Sequence, residues 1–137
     1  MKVAYTPAEL PRQPRSVAIG TFDGVHLGHR AVVGAAVDAG STPTVVTFHP
    51  HPRTVLGNRV EVLATLERRL ELLSALGVED TLVVEFTPDL ARLAPAEFAR
   101  DYLGSIGTEV VVAGGGFRFG RQRTGATRVP EPTEKTP

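Results

Sequence analysis

The stretch from Ser16 to Gly40, SVAIGTFDGVHLGHRAVVGAAVDAG, decides how the rest of the chain is read. Its opening, Ser16-Val17-Ala18-Ile19-Gly20, is a continuous apolar run of the length and composition of a buried strand. The segment that follows is punctuated by Gly20, Gly24 and Gly28. A helix is expected from about Leu27 to Ala39, with Ala31, Val32, Ala35 and Ala36 on one face. Gly40 stands where a helix stop belongs. The unit is therefore strand, glycine-containing loop, helix.

The same unit recurs outward along the chain. Pro43-Thr44-Val45-Val46-Thr47-Phe48 reads as a second strand. A proline-broken loop follows, His49-Pro50-His51-Pro52. Thr65 is placed to cap a helix over Leu66–Leu76, with Leu66, Leu70, Leu73 and Leu76 as its buried stripe and Gly77 as its end. Arg68 and Arg69 are then expected on that helix's exposed face. A third strand is expected over Thr81–Phe86. Pro95 suits the first turn of a further helix reaching Leu103, with Gly104 as its stop and Phe98 and Tyr102 on a shared face. Glu109–Ala113 reads as a fourth strand, and a glycine-rich segment, residues 114–120, follows it.

Strands alternating with helices, each strand apolar along its length, predict an α/β fold: an open parallel sheet flanked by helices. The expected division is an irregular lead-in over 1–14, broken by Pro7, Pro11 and Pro14; a domain over 15–125; and a disordered, proline-containing tail over 126–137.

Composition narrows the function. With 137 residues the chain has the length of one domain. Fifteen basic and fifteen acidic residues leave no net charge, which argues against a general nucleic-acid binder. The absence of cysteine excludes disulfides, thiolate metal sites and cysteine catalysis. No stretch is apolar enough for a membrane span, and the first residues lack the apolar centre of a signal peptide, so a cytoplasmic location is expected.

All four histidines, His26, His29, His49 and His51, fall just after the first two predicted strands. In open α/β sheets, ligands bind beyond the carboxyl ends of the strands. A single histidine there usually caps or hydrogen-bonds a loop; four at one end of a sheet point to a ligand. His26 and His29 are three residues apart at a helix start and so share a face. A helix N-terminus offers free N–H groups and partial positive charge to a phosphate. Gly28 leaves room for a base or ribose against the helix. Pro50 and Pro52 stiffen the second loop and present rings on which a flat ligand could stack. Phe117 and Phe119 read equally as core or as a ligand wall. Arg118, Arg121 and Arg123 could meet phosphate or simply be solvated.

The segment GTFDGVHLGH (20–29) resembles the signature of the HxGH nucleotidyltransferase superfamily. Together with VVTFHPHPRTVL (45–56), LATLERRLELLSALGVE (63–79) and VVAGGGFRFGRQRTG (111–125), it resembles the FMN adenylyltransferase, or FAD synthetase, module of bacterial bifunctional riboflavin kinase/FMN adenylyltransferases. That resemblance implies a Rossmann-like fold and the reaction of ATP with FMN to give FAD and pyrophosphate, with Mg²⁺. By position, His26 and His29 would contact the ATP phosphates as the catalytic pair. Gly20, Thr21, Phe22, Asp23, Gly24 and Gly28 would line the nucleotide site. Pro50, Pro52 and Phe119 would border the flavin ring.

Two departures shape the expectation. Gly115 and Gly116 stand where the family carries an acidic residue followed by Asp or Asn. Residues 126–137 hold nothing like the family's later Ser-Ser-Thr-x-Ile-Arg motif, and these 137 residues are not expected to phosphorylate riboflavin. Turnover by this chain alone is therefore expected to be weak, and the second reading is a non-catalytic nucleotide- or flavin-binding remnant. With the family's last part missing, the fourth strand would have an open edge, and self-association through it is expected. A metal-dependent hydrolase using the histidines and Asp23 fits less well, because the prolines make a closed metal site awkward. Transfer of a different nucleotide fits the second and fourth segments less well.

Overall fold

Arg15–Ile19 is buried at every position, and it is the strand about which the others are laid. The computed structural model describes the backbone of residues 1–22, 27–50, 65–113 and 125–128, and the side chains of these except 27–29 and 125–128. In chain order the strands are β1 (Lys2–Ala4), β2 (Arg15–Ile19), β3 (Thr42–His49), β4 (Asp80–Glu85), β5 (Thr108–Ala113) and β6 (Gly125–Arg128). The helices are α1 (Leu27–Asp38), α2 (Leu66–Ala75), α3 (Pro88–Ala91) and α4 (Pro95–Phe98). A π-helical turn, Ala99–Leu103, and a 3₁₀ turn, Gly104–Ile106, extend α4.

The sheet order is β1-β4-β3-β2-β5-β6. The first five of these strands run parallel, and β6 is antiparallel to β5. This is the open parallel α/β sheet that the alternating pattern predicts. Neighbouring residues of a strand point to opposite faces, and helices cover both, which is why the central strands are mostly apolar and buried on both sides. On one face Ala18, Phe22 and Val45 pack with Val33 and Ala36 of α1 and Leu73 of α2. On the other, Val17, Ile19, Val46, Phe48, Leu82 and Val111 pack with Leu103 and Ile106. There Phe98 and Tyr102 stack at 4.9 Å, as their spacing predicts, and Phe48 meets Phe86 edge to face at 6.0 Å.

Several expectations need correction. Residues 1–14 are not irregular throughout: Lys2–Ala4 pairs in parallel with β4, and Pro7–Glu9 is a 3₁₀ turn. Three residues of modest hydrophobicity carry no readable period, and only the neighbouring β4 makes them a strand. The outer edge of β5 is not open, because Val110–Ala113 pairs with Gly125–Arg128. Residues 126–128 thus belong to the sheet, and the premise for association through the edge of β5 falls; residues 129–137 lie outside the described residues. The buried face of α1 is Val33 and Ala36, while Ala31 and Ala35 are exposed. The helix that begins at Pro95 passes through Gly104, which is buried, and the reversal comes at Gly107, at φ 91°.

Candidate functional site

The strand order places a topological switch at β2. The chain winds from β2 through β3 to β4 on one side, then crosses to β5 on the other. The carboxyl ends of β2 and β5 lie side by side, with Ile19 opposite Ala113. In such sheets the crevice beyond that point is where ligands bind. The segment leaving β2 runs into α1, whose first turn contains Gly28 and His29. This long helix therefore starts at the switch point, with the free N–H groups and dipole that suit an anion.

Gly20, Thr21 and Phe22 shape the exit from β2. The Gly20 amide donates to the Val46 carbonyl at 3.1 Å. A Cβ on Gly20 would sit 3.3 Å from the Phe22 ring, so the ring lies folded back over that glycine. Phe22 is fully buried and sits at φ 53°. A bulky residue in the left-handed region is strained and persists only where packing over-determines it. Here the ring is held in the cluster formed by Val33, Ala36, Val45 and Leu73. The left-handed turn redirects the chain from β2 toward α1.

Thr47 and Arg69 lie beneath this turn. The Thr47 hydroxyl donates to the Thr21 carbonyl at 3.0 Å. It accepts from Arg69 Nη1 at 3.1 Å, and the same nitrogen donates to the Phe48 carbonyl at 2.9 Å. Both side chains are buried. Arg69 is therefore not on the exposed face of its helix; only Arg68 is, paired with Glu71 at 2.9 Å. The inner face of α2 comprises Arg69, Leu72, Leu73 and Leu76, with Leu66 and Leu70 half-buried. A signal existed in the sequence: Arg69 lies four residues before Leu73 and so shares its face. Charge suggested solvent; a buried cation needs partners, and these come from β3, a separate segment.

The second loop begins at His49 and Pro50, both exposed, joined by a cis peptide. The His49 carbonyl accepts from the Phe86 amide at 3.3 Å. The structure thus brings Gly20, Thr21, Phe22, the α1 start with Gly28 and His29, and Pro50 to one end of the sheet. Asp23, Gly24, His26, His51, Pro52 and Phe119 lie outside the described residues, as do Gly115 and Gly116. A cavity of about 410 Å³ opens at the same end, beyond β1 and β4, lined by Tyr5, Val84, Glu85, Leu90 and Tyr102 among others. It is on the far side of β3 from the switch point, so it is separate from the switch-point crevice. Among the described residues no helix is long and apolar enough to cross a membrane.

An open, largely parallel sheet with a long helix starting at its switch point defines an open α/β protein of nucleotidyltransferase-like fold. The profile of the FAD synthetase family matches residues 9–136, and the chain belongs to that family. It is 40% identical over 116 residues to the bifunctional riboflavin kinase/FMN adenylyltransferase of Listeria monocytogenes, covering 80% of this chain and 37% of that protein. It is 39% identical over 124 residues to the protein of the same name from Bacillus subtilis, covering 85% and 39%. The chain thus spans under two-fifths of the length of these curated relatives. Among solved structures it is similar to one described as a macrolide-efflux protein from Streptococcus pneumoniae, with TM-score 0.72 and 25% identity, over 87% of this chain and 43% of that one.

Proposed function

We propose that the chain is an FMN adenylyltransferase unit that joins ATP and FMN into FAD and pyrophosphate. The observation that carries the reading is the position of the Gly20–His29 segment. It leaves the sheet at the switch point and ends in the first turn of α1, in a chain of the FAD synthetase family. In this reading a phosphate oxygen of FMN attacks the α-phosphorus of ATP. One P–O bond forms, the bond to the β-phosphate bridge breaks, and pyrophosphate leaves.

The protein's part is positioning and charge stabilisation. His26 and His29 hold the ATP phosphates, helped by the N–H groups of α1. Gly20, Thr21, Phe22, Asp23, Gly24 and Gly28 line the nucleotide. Pro50, Pro52 and Phe119 border the flavin. Mg²⁺ enters as the ATP complex and is part of the substrate. The reading takes the whole sheet from β1 to β6 as the working domain, in the cytoplasm, with small-molecule substrates and no nucleic-acid partner.

The test is chromatographic detection of FAD from FMN, ATP and Mg²⁺, with a His29→Ala control. FAD from the parent chain, reduced on the order of 10²-fold or more in the control, is expected. Equal FAD from both proteins would overturn the role of the α1 start. Folded protein that binds ATP and FMN without forming FAD would make the chain a binding unit rather than a transferase.

A further inference from the structure

We infer that Arg69 is a positioning residue that ties the exit of β2 to the end of β3, from which the two substrate loops leave, through the hydroxyl of Thr47. The inference rests on the adenylyltransferase reading for what the loops bind, and on geometry alone for how they are held. The loop after β2 and the loop after β3 belong to different strands, and the proposed reaction needs their ligands in line. A misplacement on the order of 1 Å can cost on the order of 10² in rate. Thr47 is the third residue from the end of β3 and faces the α1/α2 side of the sheet. Its hydroxyl gives its proton to the Thr21 carbonyl at 3.0 Å, one residue before the left-handed Phe22. A hydroxyl that donates in one direction needs a donor to fill its lone pair from the other, and Arg69 Nη1 is that donor at 3.1 Å. The same nitrogen reaches the Phe48 carbonyl at 2.9 Å, immediately before His49 and Pro50.

A single guanidinium nitrogen therefore holds the last turn of β3 directly and the exit of β2 through one hydroxyl. Arg69 is 4% exposed, so water does not compete for these bonds. Lysine would not serve equally: its ammonium is a flexible point charge, whereas the guanidinium is planar and presents its donors in fixed directions. A purely structural role for Arg69 would be met by any side chain that fills the space beneath β3. The connection to Thr21 and Phe48 is what separates positioning from filling.

The experiment compares the parent chain with Arg69→Met, Arg69→Lys, Thr47→Val, Thr47→Ser and the Arg69→Met/Thr47→Val pair. Three quantities are read: the thermal midpoint, the separate dissociation constants of ATP and FMN, and the backbone amide NMR shifts of the ligand-free protein. Positioning predicts that Arg69→Met and Thr47→Val each weaken both ligands by about tenfold. The double variant should be little worse than either single one, because both remove the same connection. Thr47→Ser, which keeps the hydroxyl, should remain near the parent. In the ligand-free protein, Arg69→Met should shift the amides of Thr21, Phe22 and His49 together.

Losses that add in the double variant would overturn the inference. So would a lowered midpoint with unchanged affinities, or amide shifts confined to α2. If the parent binds neither ATP nor FMN, the adenylyltransferase reading fails, and the amide shifts still decide whether Arg69 ties the two strand ends. Should Arg69→Met fail to fold, the Thr47→Val and Thr47→Ser pair carries the same comparison from the other end of the connection.

Discussion

Gly107 and Arg15 show how far single residues set the frame on which the site stands. Gly107 lies at φ 91°, and a Cβ there would fall 2.2 Å from the carbonyl oxygen of Gln13. Neither the backbone angle nor the space admits a side chain. Gly107→Ala should therefore cost more than the roughly 1 kcal/mol of an ordinary glycine replacement, measured as a loss in urea-unfolding free energy. Arg15 is fully buried at the amino end of β2, opposite the switch-point crevice. Its guanidinium donates to the carbonyls of Ile106 and Pro11 at 2.9 and 2.7 Å, to Thr44 Oγ1 at 3.0 Å and to Asp80 Oδ2 at 2.7 Å. Removing one partner of a buried pair typically costs about 3–5 kcal/mol. Arg15→Met should be the more damaging change, since it also strands two carbonyls, whereas Asp80→Asn keeps an acceptor oxygen, now of an amide, at a partly exposed position. Denaturant unfolding of the two variants side by side checks that order. Arg15 was not legible in the sequence, because a charged residue at the mouth of a strand reads as a solvated end until its partners from three other segments are seen.

At the scale of elements, local chemistry was readable where it is self-contained. Thr65 caps α2 as expected, its hydroxyl accepting from the Arg68 amide at 3.1 Å. Thr65→Ala should lower stability by about 1 kcal/mol and leave the affinity for ATP unchanged at temperatures where the protein is folded, as thermal melts and titrations would show. Thr87 plays the same part for α3, a short helix absent from the sequence reading, accepting from Leu90 at 3.1 Å. The signal was present as threonine followed by proline, but four residues are too few to show a helical period. Which face each helix buries was less legible. On α1 Ala36 and Val32 face the core as expected, but Ala31 and Ala35 are exposed and Val33 takes the central place beside Phe22 and Leu73. On α2 the guanidinium of Arg69 lies inside while Leu66 is only half-buried. Hydrophobicity ranks residues one at a time; burial also depends on what the opposing surface offers to a polar atom.

At the scale of the whole molecule, β1 closes one side of the sheet against β4, and Ala4 and Leu10 join the core behind it. Deleting residues 1–10 should expose the edge of β4 and uncover part of that core. Unpaired apolar edges associate, so light scattering should find a larger species, together with a lower thermal midpoint, while the parent chain retains the covered edge. The parallel run of the central strands and the start of α1 followed from the sequence alone, because hydrophobic period and glycine stops are local properties carried along the chain. Only the tertiary structure decided that Lys2–Ala4 and Gly125–Arg128 are strands, that Arg15 and Arg69 are interior, and that the Thr47 hydroxyl bonds the Thr21 carbonyl at the exit of β2. Each of these depends on hydrogen-bond partners distant in sequence, and a polar group's place inside or outside the protein is determined by those partners rather than by its own chemistry.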